Sequence, residues 1–252
     1  MSGKVAFLYA TFPRPTETFV RRELGGLGKL GFDPDAHSIW KGEAEWCGKR
    51  ISRFRLSRLW SLFFWIPYWA FRKPHAFVEV LCALWSRSCP NMQNWNETFL
   101  GLGFALVEAQ SFEKRHIALI HSVWATMPAT AALAISKLTG IPFSMGAHAY
   151  DVFRHGGDWL LPLKFKEASF VRTSSKSSAR RIKALGVPEK KIKLIRRGLS
   201  RWPTRESFDS IDPSRLELLS VGRLVEKKGY FHQLHLAARL KEEGISFRLN
   251  II

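Results

Sequence analysis

Two short segments hold most of the side chains whose types and spacing could do chemistry. The first is Gly222-Arg223-Leu224-Val225-Glu226-Lys227-Lys228-Gly229, which follows an apolar strand-like run and leads into a helical pattern. A helix N-terminus offers free N–H groups and a positive dipole end, and both favour phosphate. Arg223 can grip phosphate oxygens in a bidentate fashion, and Lys228 adds a mobile point charge. The same residues would also serve as an ordinary solvated helix start. The second segment is His148-Ala149-Tyr150-Asp151. An imidazole with a carboxylate three residues on could hold a sugar hydroxyl or move a proton. A lone histidine is also commonly just a hydrogen-bonded polar residue. His121 and Ser174 each close a strand-like run, and Thr16-Glu17-Thr18 opens a helical one. Thr16 and Glu17 fit either a plain helix cap, with Thr16 as the capping residue, or the wall of a binding cleft.

Those residues need elements to position them, and the pattern alternates strand and helix. Strands are expected at 5–9, 36–40, 117–121, 143–147, 169–173 and 193–196. Helices are expected over 16–30, where Phe19, Val20, Leu24, Leu27 and Leu30 recur at helical spacing, then over 128–139 and 176–185. Such alternation implies an α/β fold, a parallel sheet covered on both faces. Ligands of such sheets lie beyond the carboxyl ends of the strands, where His121, His148 and Ser174 fall. Pattern breaks at 201–215 read as a linker, and 216–252 reads as a single β-α-β unit. The expected organisation is a Rossmann-like domain over 1–200 with a helical insertion at about 50–110, a linker, and an incomplete second Rossmann-like domain.

Composition narrows the function classes. The chain has 252 residues, 46% of them apolar, enough for a real core and against wholesale disorder. Three scattered cysteines, Cys47, Cys82 and Cys89, suit a reducing compartment better than a disulfide framework or a cysteine-rich metal site. The apolar run at 5–10 is too brief for a signal peptide, and no stretch reaches the roughly 20 apolar residues of a spanning helix. A cytoplasmic place is expected. There is no GxxxxGK[ST] and no HExxH, which counts against P-loop and zincin chemistry. The net charge of +18 asks for an anionic partner. Between Cys47 and Val78 there is no acidic residue against seven Lys or Arg, and between Lys164 and Arg205 there are fourteen against two. No recognised RNA or DNA module accompanies the charge, so no specific nucleic acid is expected. Trp60, Trp65, Trp69 and Trp85 interleave with Phe63, Phe64, Ile66 and Phe71 beside the first basic stretch. That region fits an anionic membrane surface, or an aromatic insertion packed on the first domain.

Three stretches together resemble a known family. They are Tyr9-Ala10-Thr11-Phe12-Pro13-Arg14-Pro15-Thr16-Glu17-Thr18-Phe19, then Ile141-Pro142-Phe143-Ser144-Met145-Gly146-Ala147-His148-Ala149-Tyr150-Asp151, and finally Leu219-Ser220-Val221 running on through Gly229. In this order they are similar to the family 4 glycosyltransferases, retaining enzymes of the two-Rossmann GT-B type, in particular those of exopolysaccharide and colanic acid assembly. The resemblance implies transfer of a sugar from a nucleotide-diphosphate donor to a lipid-linked or oligosaccharide acceptor, with no cofactor and no obligatory metal. It implies that Arg223 and Lys228 hold the donor diphosphate in a cleft between two domains, with His148 beside the donor sugar. Gly198, in Arg197-Gly198-Leu199-Ser200, stands where the family has Asn-Gly-Val-Asp, and with Gly222, Thr16, Glu17, His121, Asp151 and Ser174 completes the expected binding set. The family's second domain continues to a glycine turn and a glutamate pair that this chain ends before. A catalytically inactive relative that docks on a membrane or a partner is therefore the alternative expectation.

Overall fold

A computed structural model describes residues 4–153, 157–198 and 216–252. The chain divides into two units, Met1–Ser200 and Arg201–Ile252. The stretch expected to be the linker lies outside the described residues.

The first unit is built on a parallel sheet. β1 (Lys4–Phe12) turns through a cis Phe12–Pro13 bond into α1 (Thr18–Lys29), and β2 (Asp35–Gly42) returns beside β1. A small antiparallel hairpin, β3 (Glu45–Trp46) and β4 (Lys49–Arg50), precedes β5 (Ser52–Arg53). A 3-10 turn at Leu56–Ser61 then leads into α2 (Leu62–Arg72), α3 (Pro74–Trp85) and the long α4 (Met92–Lys114). After these come β6 (Ile117–Ser122), α5 (Met127–Thr139), β7 (Phe143–Gly146), α6 (Ala149–Phe153), α7 (Leu161–Glu167), β8 (Val171–Thr173), α8 (Lys176–Ala184) and β9 (Ile192–Leu194). Among the described residues seven strands share one sheet in the order β5-β2-β1-β6-β7-β8-β9, every neighbouring pair parallel. The order reverses between β1 and β6. At such a switch point the connections leave to opposite faces of the sheet and open a crevice beyond the strands' carboxyl ends.

Both faces are covered, as an all-parallel sheet requires. Leu8, Ile39, Ile120 and Met145 meet α4 and α5 in the larger core, and Tyr9, Phe12 and Ala36 meet Val20 and Leu24 of α1 in the smaller one. The alanines of α5 let α4 approach closely. A Cβ on Gly101 of α4 would sit 2.8 Å from the Met127 carbonyl oxygen, so only glycine fits. Two local expectations change. The first helix begins at Thr18 with Glu17 in the capping position, so Thr16 lies in the preceding turn and caps nothing. Pro13 and Pro15 hold the chain off the helical path for those extra residues. Residues 92–114, read from the sequence only as the end of a helical insertion at about 50–110, form a single helix, the longest described.

The second unit contains β10 (Leu216–Ser220), a 3-10 turn at Glu226–Lys228, α9 (Tyr230–Glu242) and β11 (Phe247–Ile251), with β10 and β11 paired in parallel. The α/β, Rossmann-like class read from the alternating pattern is the class observed.

Candidate functional site

His148 stands two residues past β7, at the carboxyl edge of the sheet, and is buried. Its surroundings follow from three strand ends meeting. Trp124, beyond β6, lies 5.2 Å from it and nearly perpendicular, and Phe19, in the first turn of α1, packs edge-on at 6.3 Å. Asp151 fixes the backbone beneath. One carboxylate oxygen accepts the His148 N–H at 2.8 Å and the other accepts the Ala125 N–H at 2.9 Å. The side chain thus staples the β7 end to the β6–α5 connection. Burial pushes its carboxyl above the ordinary range, against the pull of the backbone N–H donors. Gly146 completes the geometry, since a Cβ there would lie 2.3 Å from the Val123 carbonyl oxygen and 3.2 Å from His148 Nε2.

The electrostatics make His148 a neutral group. Burial, then the nearby Arg197 and Arg172, push its pKa down to about 4. Its Nδ1 is buried and has no hydrogen-bond partner among the described residues. A neutral imidazole carries one donor and one acceptor nitrogen, so it can hold a hydroxyl without contributing charge.

Beside this ring opens a cleft of about 850 Å³ along α1. Its wall carries Arg21, Arg22, Lys29, Arg172, Arg196 and Arg197, with Glu23 the acidic member. Arg172 pairs with Glu23, Arg22 donates to the Gly198 carbonyl at 3.3 Å, and Arg197 lies 3.6 Å from the centre of the Phe19 ring. The cleft therefore ends one aromatic ring from His148. Its cations exceed its carboxylates, which suits a multiply charged anion. A second cleft of about 730 Å³ opens past the end of β1, lined among others by Thr11, Arg14, Trp40, Leu56, Trp95 and Asn96.

The residues singled out from the sequence do not all gather in one place. Gly198 lines the basic cleft, and His148, its backbone held by Asp151, packs against Phe19 of the same wall. Glu17 is half-buried and pairs with Arg14 at 3.4 Å, Thr16 is exposed, and Ser174 is half-buried directly after β8. His121 lies inside the protein instead of at an open strand end. Its Nδ1 is 2.8 Å from Ser144 Oγ, its ring stacks on Phe170, and burial, with Arg172 and His148, pushes its pKa down to about 3. Gly222, Arg223 and Lys228 belong to the second unit, where Arg223 and Lys228 are exposed. There Tyr230 Oη donates to the Gly222 carbonyl at 2.7 Å. A Cβ on Gly222 would stand 3.1 Å from Tyr230 Oη, a tight approach, and in ordinary contact with Lys228 Cε at 3.4 Å. The arginine wall was not assigned from sequence. The run of cations after Lys164 was visible, but only folding brings Arg172, Arg196 and Arg197 opposite Arg21 and Arg22 of α1. Among the described residues no three His, Cys, Asp or Glu side chains gather as a metal site would need.

No protein-family profile matches the chain. It is 23% identical over 269 residues to a protein named colanic acid biosynthesis glycosyltransferase WcaL in Escherichia coli (strain K12), covering 99% of this chain and 64% of that one. It is 24% identical over 274 residues to the protein of the same name in Salmonella typhimurium, again covering 99% of this chain and 64% of the relative. The chain thus spans less than two thirds of the length of these relatives. Among solved structures, the apo form of a lipopolysaccharide outer core galactosyltransferase, WaaB, superposes with a TM-score of 0.60 at 13% identity, covering 98% of this chain and 68% of that one. The fold is therefore Rossmann-like and of the GT-B type, and in sequence the chain is similar to glycosyltransferases of cell-surface polysaccharide assembly.

Proposed function

We propose that this chain carries the acceptor-side domain and the first donor-binding elements of a retaining family 4 glycosyltransferase. It would move a sugar from a nucleotide diphosphate to a saccharide acceptor during cell-surface polysaccharide synthesis. The observation that carries the reading is the basic cleft whose wall includes Phe19, the ring that packs against the neutral His148 at the carboxyl edge of the parallel sheet. Sequence similarity to WcaL along 99% of the chain points the same way.

In this reading the chemistry is electrostatic. When the bond between the sugar's anomeric carbon and the diphosphate breaks, the electron pair goes to a phosphate oxygen. Arg223 and Lys228 hold that diphosphate and meet the charge as it develops, the part a metal would otherwise play, so none is required. His148, neutral at physiological pH, orients a donor hydroxyl through its ring nitrogens. The acceptor's hydroxyl attacks the anomeric carbon and its proton leaves with the diphosphate. Trp40 and Trp95 in the second cleft offer apolar faces to the C–H surface of an acceptor sugar, and Arg14 reaches its polar edge.

The test is to incubate the protein with a panel of nucleotide-diphosphate sugars, with and without oligosaccharide acceptors, and to follow nucleoside diphosphate release. One donor should be consumed in preference, its sugar retaining anomeric configuration in the product, and His148→Ala should abolish the turnover. Absence of release with every donor and acceptor contradicts the proposal.

A further inference from the structure

The aromatic insertion is divided between inside and outside. On α2, Trp69 is fully buried and its Nε1 donates to the Leu106 carbonyl at 2.9 Å, while Leu62, Trp65 and Tyr68 pack on the core. On α3, Ala76 and Phe77 do the same. The opposite sides are just as apolar and stand in the open. Phe63 is 82% exposed, Phe71 92% and Trp85 91%, joined by Trp60, Phe64 and Leu81. Both helices turn their inner sides to the layer of α4 and α5, so their outer sides point away from it together. On α3 the outward set Val78, Leu81, Cys82 and Trp85 follows one helical stripe. Beneath α3 an apolar slot of about 130 Å³, lined by Phe77, Leu81, Leu84, Phe99 and Leu102 among others, leads inward from that stripe.

We infer that the outer faces of α2 and α3 dock this protein on an anionic lipid surface, lying in the interface without crossing it. α2 and α3 have 11 and 12 residues, and no helix among the described residues is long and apolar enough to span a membrane. The charge around the face selects the occupant. Arg55 and Arg58 precede it and Arg72 and Lys73 form the corner between the helices, all exposed; Arg58 also pairs with Glu108 and Arg72 with Glu113 of α4, and no carboxylate occurs from Cys47 to Val78. Cations rimming exposed tryptophan and phenylalanine match a bilayer with anionic headgroups, where rings sit at the boundary and the cations meet phosphate. A second copy of the chain is the poorer partner, because a twofold contact would face this cationic rim with itself and supply no carboxylate from that stretch. The inference does not depend on the transferase reading.

The experiment is co-sedimentation of the full chain with phosphatidylcholine vesicles, pure or containing about one-third phosphatidylglycerol. Binding is expected to the anionic vesicles, with weaker binding on raising salt from about 0.1 M to 1 M. Phe71→Ser and Trp85→Ser are each expected to lower the partition about tenfold while leaving the melting temperature unchanged, since both side chains are already in solvent. On the unaltered protein, lipids brominated along the acyl chain should quench part of the tryptophan emission. Equal binding to neutral vesicles, no effect of either substitution, or no quenching overturns the inference. So does a lipid-free dimer, seen by light scattering, that the same substitutions dissolve.

Discussion

Arg197 sets its guanidinium 3.6 Å from the centre of the Phe19 ring, and the same ring packs against His148. Arg197 is the first charge to act on His148 after burial. Arg197→Gln should therefore raise the His148 pKa from about 4, while burial keeps it below the ordinary 6.5. Proton NMR titration of the imidazole measures it. A value unmoved by the substitution would separate the two residues.

Stability should depend on pH through the same group. The folded His148 resists protonation down to about 4, whereas the unfolded chain takes up that proton near 6.5. Between those values the unfolded state binds more protons, so stability is full above pH 6.5 and is lost as pH falls toward 4. The loss from this residue is about 3 kcal/mol. His121 adds to it over a window reaching about 3. Urea unfolding at pH 7.5 and pH 4.5 should show the drop, and His148→Gln should reduce it. Identical midpoints for the two proteins across that range would contradict the assignment.

Gly146→Ala forces a methyl against the Val123 carbonyl oxygen and the His148 ring. Relief requires moving two strand ends, so a destabilisation of about 1–3 kcal/mol is expected. The His148 imidazole signals should shift as well. A variant with wild-type melting and an unmoved histidine would show that the β7 end is looser than described.

Lys164 is fully buried beside Asp158, with which it forms an ion pair, and its ammonium also donates to the Ala125 and Thr126 carbonyls at 2.8 and 3.1 Å. Burial lowers its pKa, and Asp158 opposes that shift. Lys164→Met strands a buried carboxylate under the β6–α5 connection and should cost about 3–5 kcal/mol. Removing both charges, with Lys164→Met and Asp158→Asn together, should cost less than the single change. Thermal unfolding of the three variants decides it.

Much of this was legible in the sequence. Apolar runs gave the strands at 117–121 and 143–147, and the helix at 230–242 stood out between a turn at Gly222 and a cap at Gly244. α4 was foreseen only as part of a helical insertion, without bounds of its own, because it buries residues all around its axis. Phe104 and Ala105 face the core, Glu108 pairs with Arg58 from the insertion, and no single apolar stripe remains to be seen. His121 misled for a related reason. A strand-end histidine and a buried one look alike until the register places His121 opposite Phe7 and Ser144. The basic cleft was hidden because charge counts along the chain do not reveal which arginines α1 will face.

Arg223→Ala and Lys228→Ala should each lower transfer by roughly 10²–10³, the loss expected for one donor to a developing negative charge. The measurement is turnover with saturating donor. Unchanged rates would remove both from the chemistry.

The proposed transferase activity requires recognition of a nucleotide diphosphate through these cations. Its most direct test is isothermal titration of nucleotide-diphosphate sugars into the protein and into the Arg223→Ala, Lys228→Ala double variant. Saturable binding of at least one donor, lost in the double variant and retained by Phe71→Ser, is the expected result. No binding of any donor, or binding that survives loss of both cations, would contradict it.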